Sequence, residues 1–113
     1  VSVALVEWSV TPSTTAFSAG PVSFTVTNQG TIPHEFVVLQ TKLAAADIPI
    51  GSFEGEAERI NEDTAGTNVG ETGDLAPGVT KTVTVELKAG HYVFFCNLPG
   101  HFHSGMHVDV TVS

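Results

Sequence analysis

Apolar and polar residues alternate strictly along three stretches of the chain. Val22, Phe24 and Val26 alternate with Ser23, Thr25 and Thr27; Val83, Val85 and Leu87 with Thr82, Thr84 and Glu86; Val108, Val110 and Val112 with Asp109 and Thr111. A period of two puts successive side chains on opposite faces of an extended backbone, so each stretch predicts a strand with one face buried. Val3 to Val10, Glu35 to Gln40 and Tyr92 to Cys96 add further β-rich runs, the last two apolar enough to be buried on both faces. Asn28-Gln29-Gly30, Ala76-Pro77-Gly78 and Ala89-Gly90 supply residues suited to tight turns. Short strands punctuated in this way predict an all-β, antiparallel fold, a Greek-key sandwich or barrel.

The rhythm breaks between Thr41 and Gly73. Leu43-Ala44-Ala45-Ala46 and a following acidic stretch read as an irregular, part-helical excursion, with helix expected from Leu43 or from Glu54 to Asn61. Its apolar residues are too few to form a core of their own. No internal repeat, low-complexity tract or linker interrupts the rest, and 113 residues is the size of one domain, taken as residues 1–113.

Charge narrows the range of partners. The formal net charge is −8, and the window from Asp47 to Asp74 carries −7 of it, with eight carboxylates against Arg59 alone. Nucleic acid is excluded as a partner on this balance, since phosphate binding needs clustered Lys and Arg and the chain has four in total. The acidic window reads first as a solvated flap and second as a docking face for a basic protein. No apolar run approaches the roughly 18 to 20 residues that span a bilayer, so no membrane insertion is expected of this segment. The sequence starts at Val1 within what reads as a strand, and any export signal or anchor is expected to lie outside it.

The single cysteine rules out an internal disulfide and has two readings, an inert buried thiol or a ligand. Its neighbours favour the second. From Tyr92 the chain reads Tyr-Val-Phe-Phe-Cys96-Asn97-Leu98-Pro99-Gly100-His101-Phe102-His103-Ser104-Gly105-Met106. Cys96 ends an apolar strand, Pro99-Gly100 forces a turn that can return His101 beside it, and Met106 closes the loop as the next alternating strand begins. A thiolate, an imidazole and a thioether so arranged offer three ligands of graded softness, the set expected of a trigonal copper site with a weak axial thioether. His34, between Pro33 and the apolar run Phe36-Val37-Val38-Leu39, is the best candidate for the fourth. Taken singly, each residue has an ordinary explanation: a polar strand entry, a loop histidine, a core filler. Taken together they do not. His103 reads as an exposed loop residue, His107 as the start of the last strand and His91 as part of a surface turn.

These segments resemble the blue (type 1) copper proteins, the plastocyanin and azurin group of cupredoxins. The resemblance covers nearly the whole chain and rests on Asn28-Gln29-Gly30 through Pro33-His34-Glu35-Phe36, on Leu75-Ala76-Pro77-Gly78, and on Cys96 to Met106. It implies equatorial ligation of one copper (Cu2+/Cu+) by His34, Cys96 and His101, with Met106 axial. It also implies a one-electron carrier, shuttling between larger redox proteins and exported to a periplasmic or extracellular setting. His101 would be the electron port, ringed by Leu98, Pro99, Phe102, Ile32 and Pro33. One departure stands out. The residue after the first ligand histidine is often Asn in such proteins, tying the two ligand loops together, and here it is Glu35, which can accept backbone hydrogen bonds or point to solvent.

A copper enzyme is the competing class. Multicopper oxidases flank their cysteine with histidines, and here Phe95 and Asn97 hold those positions; a dinuclear centre needs two thiolates, and only Cys96 exists. No enzymatic activity is therefore expected. Copper storage, delivery or resistance on the same fold is the alternative reading, and a monomer is expected.

Overall fold

The computed structural model describes all 113 residues. The alternation in sequence becomes an alternation of faces. Strand β4 (Gly20–Asn28) pairs antiparallel with β9 (Thr80–Leu87), turning Phe24, Val26, Val85 and Leu87 into the core. On the outer face the hydroxyls of Ser23 and Thr84, and of Thr27 and Thr80, meet across the strands at 2.9 Å, the kind of cross-strand pair that fixes register.

Nine of the eleven strands make two main sheets packed face to face in the expected Greek-key sandwich, and the other two form a separate hairpin. One has the order β2 (Ser9–Pro12), β1 (Ser2–Val6), β4, β9; the other the order β3 (Ala16–Phe17), β11 (His107–Val112), β10 (Gly90–Phe95), β5 (Val37–Gln40), β8 (Thr67–Glu71). Two pairings depart from the antiparallel expectation. β1 runs parallel to β4, and β3 parallel to β11, because the chain crosses to the opposite sheet through β3 before β4 returns beside β1. The expected single run from Val3 to Val10 is likewise two antiparallel strands, reversing at Glu7 and Trp8.

Strand β10 is buried on both faces, as its composition predicts. Tyr92, Phe94 and Cys96 join a core of 17 residues between the sheets, while Val93 and Phe95 point the other way into a second core of eight. That second core corrects the reading of the excursion as a solvated flap. Ala45, Ile48 and Ile60 from the excursion close over Val37, Leu39, Val93, Phe95 and Phe102. The excursion has too few apolar residues to fold alone, but it shares a core with the sheet it covers. Its local structure also differs from the expectation: Glu54 to Asn61 is not helical. A 3₁₀ turn at Ala45–Asp47 leads into the hairpin β6 (Ile50–Phe53) and β7 (Glu56–Ile60). One helical turn α1 (Glu62–Ala65) follows, capped by the Asn61 side chain accepting from the N–H groups of Asp63 and Thr64.

Candidate metal centre

Three donor atoms meet at one end of the sandwich. The ligating atoms of His34, Cys96 and His101 all lie within 4.8 Å of one another. Nδ1 of His34 stands 3.1 Å from Nδ1 of His101, which is 3.3 Å from Sγ of Cys96. His34 and Cys96 are fully buried and His101 keeps 9% of its surface, so the third ligand candidate is the one nearest solvent.

Each residue is delivered by a different constraint. Cys96 follows β10, and its N–H donates to the Met106 carbonyl at 3.1 Å. The Met106 N–H donates to the His101 carbonyl at 3.1 Å, so the loop is closed on both sides of a fully buried Met106. The turn between them is made by the His101 N–H donating to Leu98 O, with Gly100 at φ +80°, a conformation that side-chain-bearing residues rarely adopt. His34 is held by a two-way backbone pairing with Leu75, at 3.1 and 2.7 Å. The buried Asn28 secures both loops, its amide donating to Ile32 O and Leu75 O and its Oδ1 accepting from Gly30 N–H. Thus Asn28-Gln29-Gly30 and Leu75-Ala76-Pro77-Gly78 together frame the His34 side of the site.

Glu35 is buried and accepts the Asn97 N–H at 3.2 Å, while its own N–H donates to Cys96 Sγ at 3.3 Å. Of the two fates open to it in sequence, it takes the first: a carboxylate ties the ligand loops together where an amide often does. Burial, with Glu62, Asp74 and Glu71 near it, lifts its carboxyl to about 7. Burial also pushes the Cys96 thiol up to about 11, against the opposing N–H groups of Glu35 and Leu98. The His101 imidazole is held below its ordinary value by burial and by His34.

Two residues that the sequence did not mark also reach the site, both from the β1–β2 turn. Glu7 Oε1 lies 3.1 Å from Nε2 of His34. Thr31 N–H donates to the same oxygen at 2.8 Å, and this bond, with smaller help from His34 and Ile32, pulls the Glu7 carboxyl down to about 2. Trp8, 44% exposed, sets its ring edge-on to His101 and His34, with centroids 5.1 and 6.3 Å away. No local periodicity links positions 7 and 8 to His34 or His101. The only sequence signal was a carboxylate and the lone tryptophan interrupting an otherwise regular β run.

Two other expectations need correction. Phe102 does not ring an exposed port; it is 3% exposed, packed between Phe95 and His107. His91 is not in a turn but within β10, its two ring nitrogens on Thr41 O and Asp109. The excursion also reaches the ligand loop directly: Asn97 donates to Ile60 O and Glu62 and accepts from Ile60 N–H, Arg59 Nε donates to Asn97 O, and Gly100 N–H donates to Glu58 O. His103, exposed and 3.2 Å from Glu58, and His107, stacked on Phe102, stay out of the donor cluster.

The donor set fits copper. Two imidazole nitrogens and one thiol converge within a few ångströms, their other contacts being one another and a backbone N–H; a soft sulfur with two imidazoles is a copper-favouring combination.

Comparison with known proteins agrees. A family model of the sulfocyanin (SoxE) domain matches residues 16–113. Auracyanin from the photosynthetic bacterium Roseiflexus castenholzii, in a dithionite-reduced crystal structure, is 22% identical with a TM-score of 0.72, covering 99% of this chain and 94% of that one. Auracyanin B is 21% identical with a TM-score of 0.75, over 100% and 87% of the two chains. Auracyanin A, a blue copper protein from the green thermophilic photosynthetic bacterium Chloroflexus aurantiacus, is 20% identical with a TM-score of 0.71, over 100% and 97%. At such identities these structures speak for the shared fold. A sequence search of curated proteins returns no match.

Proposed function

The chain belongs to the sulfocyanin (SoxE) domain family of cupredoxins, and from that premise we propose that it carries single electrons between redox proteins on one type 1 copper held by His34, Cys96, His101 and Met106. The observation that carries this reading is the convergence of His34, Cys96 and His101 at one buried point. Bound there, copper supplies a one-electron couple.

The protein's own part is to hold donors still. His34 is fixed through Leu75, Cys96 through the Glu35 N–H, and His101 through Leu98 and Met106. Donors that do not move between oxidation states keep the reorganisation cost of electron transfer small. Burial keeps bulk water from the thiolate side, while the exposed indole of Trp8 beside His101 offers an aromatic contact through which an electron can pass. Trp8 takes the place that Phe102 was expected to fill. The partner we propose is a basic redox protein, drawn by the acidic excursion, in a periplasmic or extracellular setting; no helix here is long and apolar enough to cross a membrane. Residues 1–113 act as one domain in this reading.

Voltammetry of the copper-loaded protein, followed by incubation with a copper-free acceptor, tests the carrier against copper delivery. A reversible one-electron wave with copper retained is expected. Copper passing to the acceptor without such a wave would favour delivery.

A further inference from the structure

Glu7 is joined to the site by more than proximity. Its Oε1 receives the N–H groups of Thr31 at 2.8 Å and Ile32 at 3.1 Å, with the Thr31 hydroxyl at 3.3 Å. Backbone N–H groups can only donate, so this oxygen is an acceptor. The fourth group on it is Nε2 of His34 at 3.1 Å, and an acceptor facing a ring nitrogen requires the proton to sit on that nitrogen. Neutral His34 is therefore the Nε2–H tautomer, with its Nδ1 lone pair turned toward His101 and Cys96.

The fold also keeps a space open for this pair. A Cβ on Gly30 would fall 2.6 and 2.7 Å from the two Glu7 carboxylate oxygens and 2.8 Å from Nε2 of His34. These are distances that real Cβ atoms do not tolerate. Gly30 does not take a positive φ, so what a side chain there would disturb is the Glu7–His34 pair, displacing the carboxylate or the ring.

We propose that Glu7 is a positioning residue for the metal site: its carboxylate locks the His34 imidazole in the ligating tautomer, and its negative charge favours the cupric state. Carboxylate–histidine–metal arrangements orient the ring and raise its basicity in this way. The proposal rests on the copper reading above, and its test separates the two.

Nitrogen-correlated NMR of the metal-free protein at mildly alkaline pH reads the His34 tautomer without copper. The expected result is a single Nε2–H form in the wild type. Glu7→Gln keeps an oxygen facing Thr31 and Ile32 and should keep that tautomer; Glu7→Ala and Gly30→Ala should each mix the two. Voltammetry of the copper-loaded variants should then show a higher midpoint potential for both Glu7→Gln and Glu7→Ala than for the wild type. A proton on Nδ1 in the wild type, or potentials in both Glu7 variants equal to the wild type, would overturn the proposal. Failure to take up copper would instead strike the copper reading, leaving the tautomer measurement to judge Glu7 by itself.

Discussion

The Trp8 indole stands edge-on to the His101 imidazole, with ring centroids 5.1 Å apart and an interplanar angle of 76°. Trp8 is the only tryptophan in the chain, so its fluorescence reports on this one contact. Cupric ion bound by His101 would lie within quenching range of the indole. Titration of the metal-free protein should quench the emission with an endpoint at one copper per chain. Unquenched emission on saturation would place the copper elsewhere. Trp8→Ala should leave the visible copper spectrum in place and slow electron self-exchange, because the indole is the proposed aromatic contact for the electron at His101 and is not itself a ligand.

Phe102 is a packing residue, and its substitution should be read as one. It closes the second core against Phe95 and His107. Truncating a buried Phe costs roughly 3–5 kcal/mol. Phe102→Ala should lower the stability of the metal-free protein by that order in urea unfolding, while bimolecular electron-transfer rates measured where the variant is folded stay near wild type. A stable variant with slowed transfer would return Phe102 to the docking surface.

Met106 is fully buried and bonded through its backbone to both Cys96 and His101. As a soft axial donor its thioether would favour cuprous copper, so Met106→Gln, offering a harder oxygen, should lower the reduction potential. Voltammetry decides this; a potential unmoved or raised would remove Met106 from the ligand set.

The acidic excursion is anchored to the ligand loop through Asn97 and Gly100, yet Glu54, Glu56 and Glu58 remain exposed. Arg59 meets Glu56 at 2.8 Å and Glu54 at 3.9 Å, which leaves the window strongly negative. Long-range steering is screened over a Debye length of about 10 Å at ~0.1 M salt. Electron transfer with a basic cytochrome should therefore slow as salt rises, and neutralising the three glutamates should flatten that slope. A flat series for the wild type would remove the docking role proposed for the acidic window.

How much of this was legible in the sequence depends on the range of each contact. The strands were legible because a half-buried strand writes itself as alternation, and β4, β9 and β11 lie where alternation put them. The Cys96–Met106 loop was legible because its ligand candidates are close in sequence and punctuated by Pro99-Gly100. Glu35 was legible as a departure but not in its role, since accepting the Asn97 N–H depends on a partner 62 positions away. Ile48 and Ile60 looked isolated because a core shared with another element leaves no periodicity in either. Glu7 and Trp8 were invisible for a similar reason: the β1–β2 turn reaches the site only after both sheets are assembled.

The most direct measurement of the central claim is the visible and paramagnetic resonance spectrum of the protein loaded with cupric ion, taken alongside Cys96→Ser. An intense thiolate-to-copper charge-transfer band with a narrow copper hyperfine splitting is expected in the wild type. In Cys96→Ser the band should vanish while the fold, whose cores are built from side chains of the two sheets and the excursion, is expected to persist by circular dichroism. A wild-type spectrum without that band, or one unchanged by Cys96→Ser, would contradict a type 1 copper site at His34, Cys96 and His101.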